Sequence, residues 1–137
     1  MAMNLTNYAR SALINHLLGV ADFTMPTTVW LALFTANPTA SGSLADEVPD
    51  AVGYSRQNLT AVMDSSTGGG AAESNDTLLF GPDTGTDWDT ITHVGLMDTD
   101  TIGAGNMLMF GPMDVSKNIT VGDSLQFLAN SISASLT

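Results

Sequence analysis

The fold is decided by residues 86–98, TDWDTITHVGLMD. After Trp88, apolar and β-branched side chains alternate with polar ones at a period of two, which is typical of a β-strand. One face of this strand would carry Ile91, His93, Gly95 and Met97, and the other Thr92, Val94 and Leu96. Because both faces hold apolar side chains, the stretch predicts a central strand that is covered on both sides.

The rest of the chain predicts further short strands separated by glycine- and proline-containing turns. Residues 39–53 lack periodicity and are interpreted as a long exposed excursion, and the glycine-rich residues 65–76 as a flexible loop. Short strands at such regular spacing indicate an all-β fold, an antiparallel jelly roll or β-sandwich. The predicted strands are 28–35, 54–63, 77–82, 106–113, 117–129 and 132–137.

One N-terminal helix precedes these strands. In residues 4–18, NLTNYARSALINHLL, apolar side chains recur at i, i+3 and i+4, with Asn4 as the expected N-cap and Gly19 as the stop. The length of 137 residues suits one domain. We therefore expect a single jelly-roll domain over residues 1–137, with a helix at 4–18 and a β-sandwich at 28–137.

The chain is strongly acidic. Fourteen Asp and Glu residues against three Lys and Arg give a net charge of -11, which disfavours binding to nucleic acid. There is no cysteine, so neither a disulfide framework nor a thiolate zinc site is expected. Apolar runs are too short to cross a bilayer. We expect a soluble protein that is made in a reducing cytoplasm and binds neither nucleic acid nor membrane.

Few residues suggest catalysis or metal binding. His16 and His93 each stand alone, and no nucleophile–base pair can be assigned, so we expect no enzyme, no catalytic residues and no cofactor. Aspartates flank the central strand at 83, 87, 89, 98 and 100, and oxygen-rich loops can hold calcium. Ile102 stands where an EF-hand needs an acidic ligand, so solvated acidic loops are the favoured interpretation. The alternative is a calcium-dependent carbohydrate-binding module.

Several segments, taken in order, resemble one family. They are WLALFTANPT, GYSRQ, WDTITHVGLMD, GNMLMFG and VGDSLQF, followed by an alternating C-terminal strand. This succession resembles small virion proteins of tailed bacteriophages, often labelled tail fibre proteins, and is similar to the jelly-roll cement or decoration proteins of phage capsids. The resemblance extends from residue 4 to the end of the chain. It implies a jelly roll preceded by a helix, working as a structural part without catalytic residues.

From this resemblance we expect a capsid cement protein on the outer surface of the virion. Its partners would be the major capsid protein and further copies of itself, as a dimer or trimer, and no metal is implied. A tail or tail-fibre-associated component is the alternative. The candidate docking surfaces are the helix face, the excursion and exposed strand edges. The candidate interface residues are Tyr8, Leu13, Asp46, Glu47 and Val48.

Overall fold

The computed structural model describes residues 1–136 of the chain, and Thr137, the last residue of the predicted C-terminal strand, lies outside the described residues. Within them, besides two short 3-10 helices at Asp50–Val52 and Thr60–Val62, one α-helix and nine strands follow one another along the chain. They are β1 Ala2–Leu5, α1 Asn7–Leu17, β2 Trp30–Phe34, β3 Gln57–Asn58, β4 Ala71–Glu73, β5 Leu78–Phe80, β6 Asp89–Met97, β7 Met107–Ile119, β8 Leu125–Phe127 and β9 Ser133–Ser135.

Seven strands form one sheet, in the order β3-β2-β6-β7-β1-β9-β4, and β5 pairs with β8 in a second, two-stranded sheet. The central position predicted for β6 is confirmed, since it pairs antiparallel with β2 on one side and β7 on the other. The all-β, sandwich-like architecture with one N-terminal helix is also confirmed. One pair departs from the expected antiparallel pattern, because β1 and β9 run parallel.

The regular alternation predicted along the central strand is interrupted. The pairing of β6 with β7 shifts in register between Ile91 and His93 and again between Leu96 and Met97. In both places β7 has more residues than β6 between paired positions, and such an irregularity changes which side chains share a face. Ile91 consequently packs into the same core cluster as Val94, and its predicted place on the face of His93 is wrong.

The N-terminus holds a strand that the sequence did not predict. Asn4 and Leu5 pair with Phe110 and Met109 of β7, so the predicted helix start at Asn4 is wrong. Thr6 is the N-cap instead, and its hydroxyl accepts from the Ala9 N–H at 3.3 Å. The expected end is confirmed, because Gly19 follows the helix in the left-handed conformation, at a φ of 71°.

The sheet is covered on both faces, as predicted. On one face an aromatic cluster joins the two sheets, with ring centroids 6.1 Å apart for Tyr54–Phe80, 5.7 Å for Tyr54–Trp88 and 5.9 Å for Phe80–Phe127. Trp88 is 1% exposed, and its indole N–H donates to the Val52 carbonyl at 2.8 Å. The other face carries a smaller cluster, formed by Ala32, Phe34, Met97 and Met107 and covered in part by Leu44.

Two segments that were predicted to be irregular are ordered parts of the fold. The segment Ala71–Glu73, inside the predicted flexible loop, forms β4 and pairs with β9. The supposed exposed excursion bridges to β2 at Phe34–Glu47 and buries Val48 completely. Both predictions were wrong for these residues. Their strand pairing and burial depend on contacts with distant parts of the chain, which produce no periodic pattern in the local sequence.

Candidate interface surfaces

The surface of α1 is unusually apolar for a helix of a single chain. Ala9 is its only buried residue, and the helix contacts the sheet through β7 and β1. Three large side chains point away from the protein: Ile14 is 51% exposed, Leu17 78% and Leu18 69%. Since residues three and four apart lie on one side of a helix, these three form a continuous band, which we call the helix stripe. Contiguous exposed apolar side chains are typical of protein–protein interfaces, so we treat this band as a candidate interface.

An apolar groove of about 300 Å³ lies between α1 and the sheet. Leu13, one of the predicted interface residues, is half-buried at its wall, four residues before Leu17 of the helix stripe. The groove therefore lies next to the helix stripe, on the side of α1 that faces the sheet. No charged side chain lines it; the walls include Leu5, Ala9, Phe23, Leu96, Met109 and Leu136.

Tyr8, the other predicted residue on the helix, is 46% exposed. It lines a separate cleft of about 210 Å³ with Phe23, Met25 and Pro26. Met25 is itself 77% exposed. Tyr8 and Leu13 therefore lie beside two different depressions. Phe23, from the segment that follows the helix, lines both of them.

The three predicted residues of the excursion have different environments. Asp46 is exposed, whereas Glu47 and Val48 are buried by contacts within the chain. Neither Glu47 nor Val48 presents its side chain to a partner in this structure. A docking role stays a prediction for Tyr8, Leu13 and Asp46.

Glu47 forms a buried ion pair with Arg56. Its two oxygens accept from Nε and Nη2 of Arg56, each at 2.7 Å, and both side chains are almost fully buried. The Arg56 Nη1 donates to the carbonyls of Thr99 and Ala104, at 2.8 and 3.0 Å. Such a bidentate pair with additional hydrogen bonds is the arrangement that compensates for the loss of hydration. We call these two residues the Glu47–Arg56 pair.

Neighbouring groups complete the hydrogen bonding around this pair. The Tyr54 hydroxyl donates to Glu47 Oε1 at 3.0 Å and accepts from the Leu33 N–H at 3.0 Å. The Gly103 N–H donates to Glu47 Oε2 at 3.0 Å. Burial, with the negative charge of Glu47 beside it, raises the pKa of Tyr54 far above its ordinary value, so its proton stays in place. The pair connects the excursion, residues 54–56 and residues 99–104.

The aspartates around β6 are used to hold turns. Asp83 is buried, and its carboxylate accepts from the N–H groups of Gly85 and Trp88. Asp98 accepts from the backbone and the amide of Asn106, and Asp87 accepts from the Val121 N–H. Over residues 1–136, no three metal-ligating side chains come together. Trp88 is buried in the core, so its ring is not exposed for stacking on a sugar.

The two histidines occupy separate environments. His93 is half-buried on β6, and its Nδ1 lies 2.8 Å from the Thr92 hydroxyl. Burial lowers the pKa of His93 below its ordinary value, which favours the neutral ring. His16 is exposed near the end of α1, and its Nδ1 accepts from the Phe23 N–H at 3.2 Å. Of the two rings, that of His93 is therefore hydrogen-bonded to a side-chain hydroxyl and that of His16 to a backbone N–H.

Charge is distributed unevenly along the chain. None of the fourteen acidic residues lies within residues 1–21, and the first is the exposed Asp22. Arg10, one of three basic residues, is exposed on α1 one turn before Ile14. The helix surface is therefore free of negative charge in a protein whose net charge is -11.

Sequence reasoning identified only part of the helix stripe. The predicted i, i+3, i+4 spacing includes Leu13 and Leu17 but not Ile14, Leu18 or Val20. The available signal was the run of apolar residues around the helix end, LINHLLGV, which is wider than one buried band requires. Arg56 was likewise missed, although an arginine is the natural partner for a buried carboxylate and the chain has only three basic residues.

Within residues 1–136, no helix has the length and apolar character that a bilayer crossing requires. The chain matches no curated protein. It does match a family model, described as podophage GP4 fiber I protein gp80, over residues 4–135. That range contains the helix stripe, the groove, the Glu47–Arg56 pair and all strands from β2 onward. The chain belongs to this family of bacteriophage virion proteins of the tail-fibre type.

Proposed function

We propose that this protein is a non-enzymatic structural component of the virion, attached at the tail as part of a fibre or next to one. The observation that carries the proposal is the family match over residues 4–135, whose description names a fibre protein. Within a virion such a component works by binding its neighbours and keeping its shape under load.

The structure supports a mechanical role in two ways. Long-range bonds hold the fold, including the Glu47–Arg56 pair, which joins three separate segments. In residues 1–136 every buried side-chain nitrogen and oxygen has a hydrogen-bond partner, as a firmly held interior requires. The exposed apolar residues on α1 supply a surface for assembly.

The resemblance to capsid cement proteins leads to a different position on the same particle. A cement protein would bind the major capsid protein on the outer shell and reinforce the joints between its subunits. The family description names a fibre and no shell protein. We therefore place the protein at the tail, and treat attachment to the head as the competing outcome.

A phage that lacks this protein separates the two positions. We expect its particles to keep intact heads under osmotic shock and to bind fewer host cells, with binding restored when the wild-type gene is supplied in trans. A cement protein would give the opposite pattern, in which heads release DNA under shock while surviving particles adsorb normally. That result would overturn the proposal.

A further inference from the structure

We propose that the helix stripe, together with the groove beside it, binds a second copy of this chain. The two helices would lie antiparallel about a two-fold axis near Ile14, so that the same surface is used by both copies. The proposal does not rest on the position of the protein in the virion.

Helix α1 leaves three large apolar side chains unpacked within its own chain. Helices of this length are marginal in water unless an apolar face is packed, and α1 buries only Ala9 within its own chain. The side chains of Ile14, Leu17 and Leu18 instead face solvent. A second helix laid along the stripe would cover all three at once.

The exposed apolar side chains supply more than half of the area that a dimer interface takes from each partner. The stripe is extended by Val20, 73% exposed, and by Leu136, 52% exposed at the groove. At roughly 100 Å² for each large apolar side chain, these five residues offer roughly 500 Å². A standard interface takes about 800 Å² from each partner. The groove walls and the polar residues around the stripe would provide the remainder.

Charge favours a second copy of this chain at that surface. Two chains of charge -11 repel each other over most of their surface, but residues 1–21 carry no acid. In an antiparallel pair centred on Ile14, Arg10 of each copy would lie against the last turn of the other helix. A cation there interacts favourably with the helix dipole and with the exposed Asp22 that follows.

The first test is the mass of the full-length protein in solution. Light scattering coupled to size exclusion should give twice the 14.3-kDa mass of one chain at micromolar concentration. The variant Leu17→Glu should weaken the dimer by at least about a hundred-fold, because a two-fold interface loses the leucine and gains the charge twice. Leu128→Glu is the matched control, since Leu128 is 62% exposed but lies after β8, away from the helix.

The second test uses the absence of natural cysteine. Under mild oxidation, Ile14→Cys should give a covalent dimer, because a residue at the two-fold axis meets its own copy at disulfide distance. Leu128→Cys should remain monomeric in denaturing gels. Circular dichroism of each variant confirms that the fold is retained.

Three outcomes would overturn the proposal. They are a monomeric wild-type protein at high micromolar concentration, a dimer that Leu17→Glu leaves intact while Leu128→Glu dissociates it, and a mass of three chains, which a two-fold pair cannot give. A monomer that needs Leu17 to enter virions would assign the stripe to a different virion protein.

Discussion

Replacing Arg56 by Met removes the guanidinium from the buried pair and keeps a side chain of similar length. Glu47 then keeps only the hydrogen bonds from Tyr54 and Gly103, and the carbonyls of Thr99 and Ala104 lose their donor. Two bonds of 2.7 Å between charged groups are lost, at about 1.5–3 kcal/mol each. Removing one partner of a buried ion pair costs about 3–5 kcal/mol in other proteins. We expect Arg56→Met to cost about 3–5 kcal/mol.

Urea unfolding followed by tryptophan fluorescence measures this loss. With a slope of about 1–3 kcal/mol per molar urea, the midpoint should fall by roughly 2 M while the slope stays constant. Hydrogen exchange should also speed up in residues 99–104, which the guanidinium holds in place. Asp46→Asn is the matched control, since this neighbouring carboxylate is exposed and should change stability by less than about 0.5 kcal/mol.

A double variant tests the reason for the loss. If the cost comes from leaving one charge buried alone, Glu47→Leu with Arg56→Met should cost less than either single substitution. The Tyr54 hydroxyl would still accept from the Leu33 N–H in the double variant. A loss below about 1 kcal/mol for Arg56→Met, or a double variant that equals the sum of the singles, would refute this reasoning.

Three further substitutions probe other parts of the fold. Trp88→Ala should cost about 3–5 kcal/mol by urea unfolding, because it removes a buried ring that packs on Tyr54 and takes away one of the two donors to the Val52 carbonyl; an unchanged midpoint would remove Trp88 from the core. Gly111→Ala should cost about 1–3 kcal/mol, because its methyl group would collide with the backbone of Ala2 and push β1 off β7, and a neutral result would contradict that pairing. His93 has a lowered pKa in the folded state, so the unfolded chain binds its proton first and stability should decline as the pH falls below about 6.5. His93→Gln should flatten that part of the profile of melting temperature against pH, and an unaltered decline would assign it to other groups.

The strands that carry a strong local pattern could be predicted from sequence. Residues 28–35 and 86–98 contain β2 and β6, and the sequence alone shows the apolar run of the first and the alternation of the second. The sequence also indicated that these strands are covered on both faces, because apolar residues occupy both sets of alternate positions. Such patterns are local, so a single sequence displays them.

Features that depend on distant partners could not be predicted. The segment β1 is short, and only its pairing with β7 and β9 identifies it as a strand. The bulges in the pairing of β6 with β7 change which residues share a face, and alternation alone gives no sign of them. In the sequence, Glu47 and Val48 belong to an acidic segment without periodicity. Only the structure shows that Glu47 pairs with Arg56 and bridges to β2 at Phe34.

The candidate interface could be predicted only in part, because one of its properties is local and the other depends on tertiary contacts. An apolar helix face shows in the i, i+3, i+4 spacing, which led to Tyr8 and Leu13. Which side of the helix stays exposed depends on how α1 meets β7 and β1, and that contact is tertiary. Ile14 and Leu18 become interface candidates only once the helix is placed on the sheet.

The claim that the protein is a tail-fibre component is tested most directly by counting its copies in separated parts of the particle. Virions are dissociated with mild denaturant, heads and tails are separated on a gradient, and the protein is quantified in each fraction against the major capsid protein. The account predicts a small number of copies that travel with the tails. Hundreds of copies on the heads would contradict it and make the protein a capsid cement.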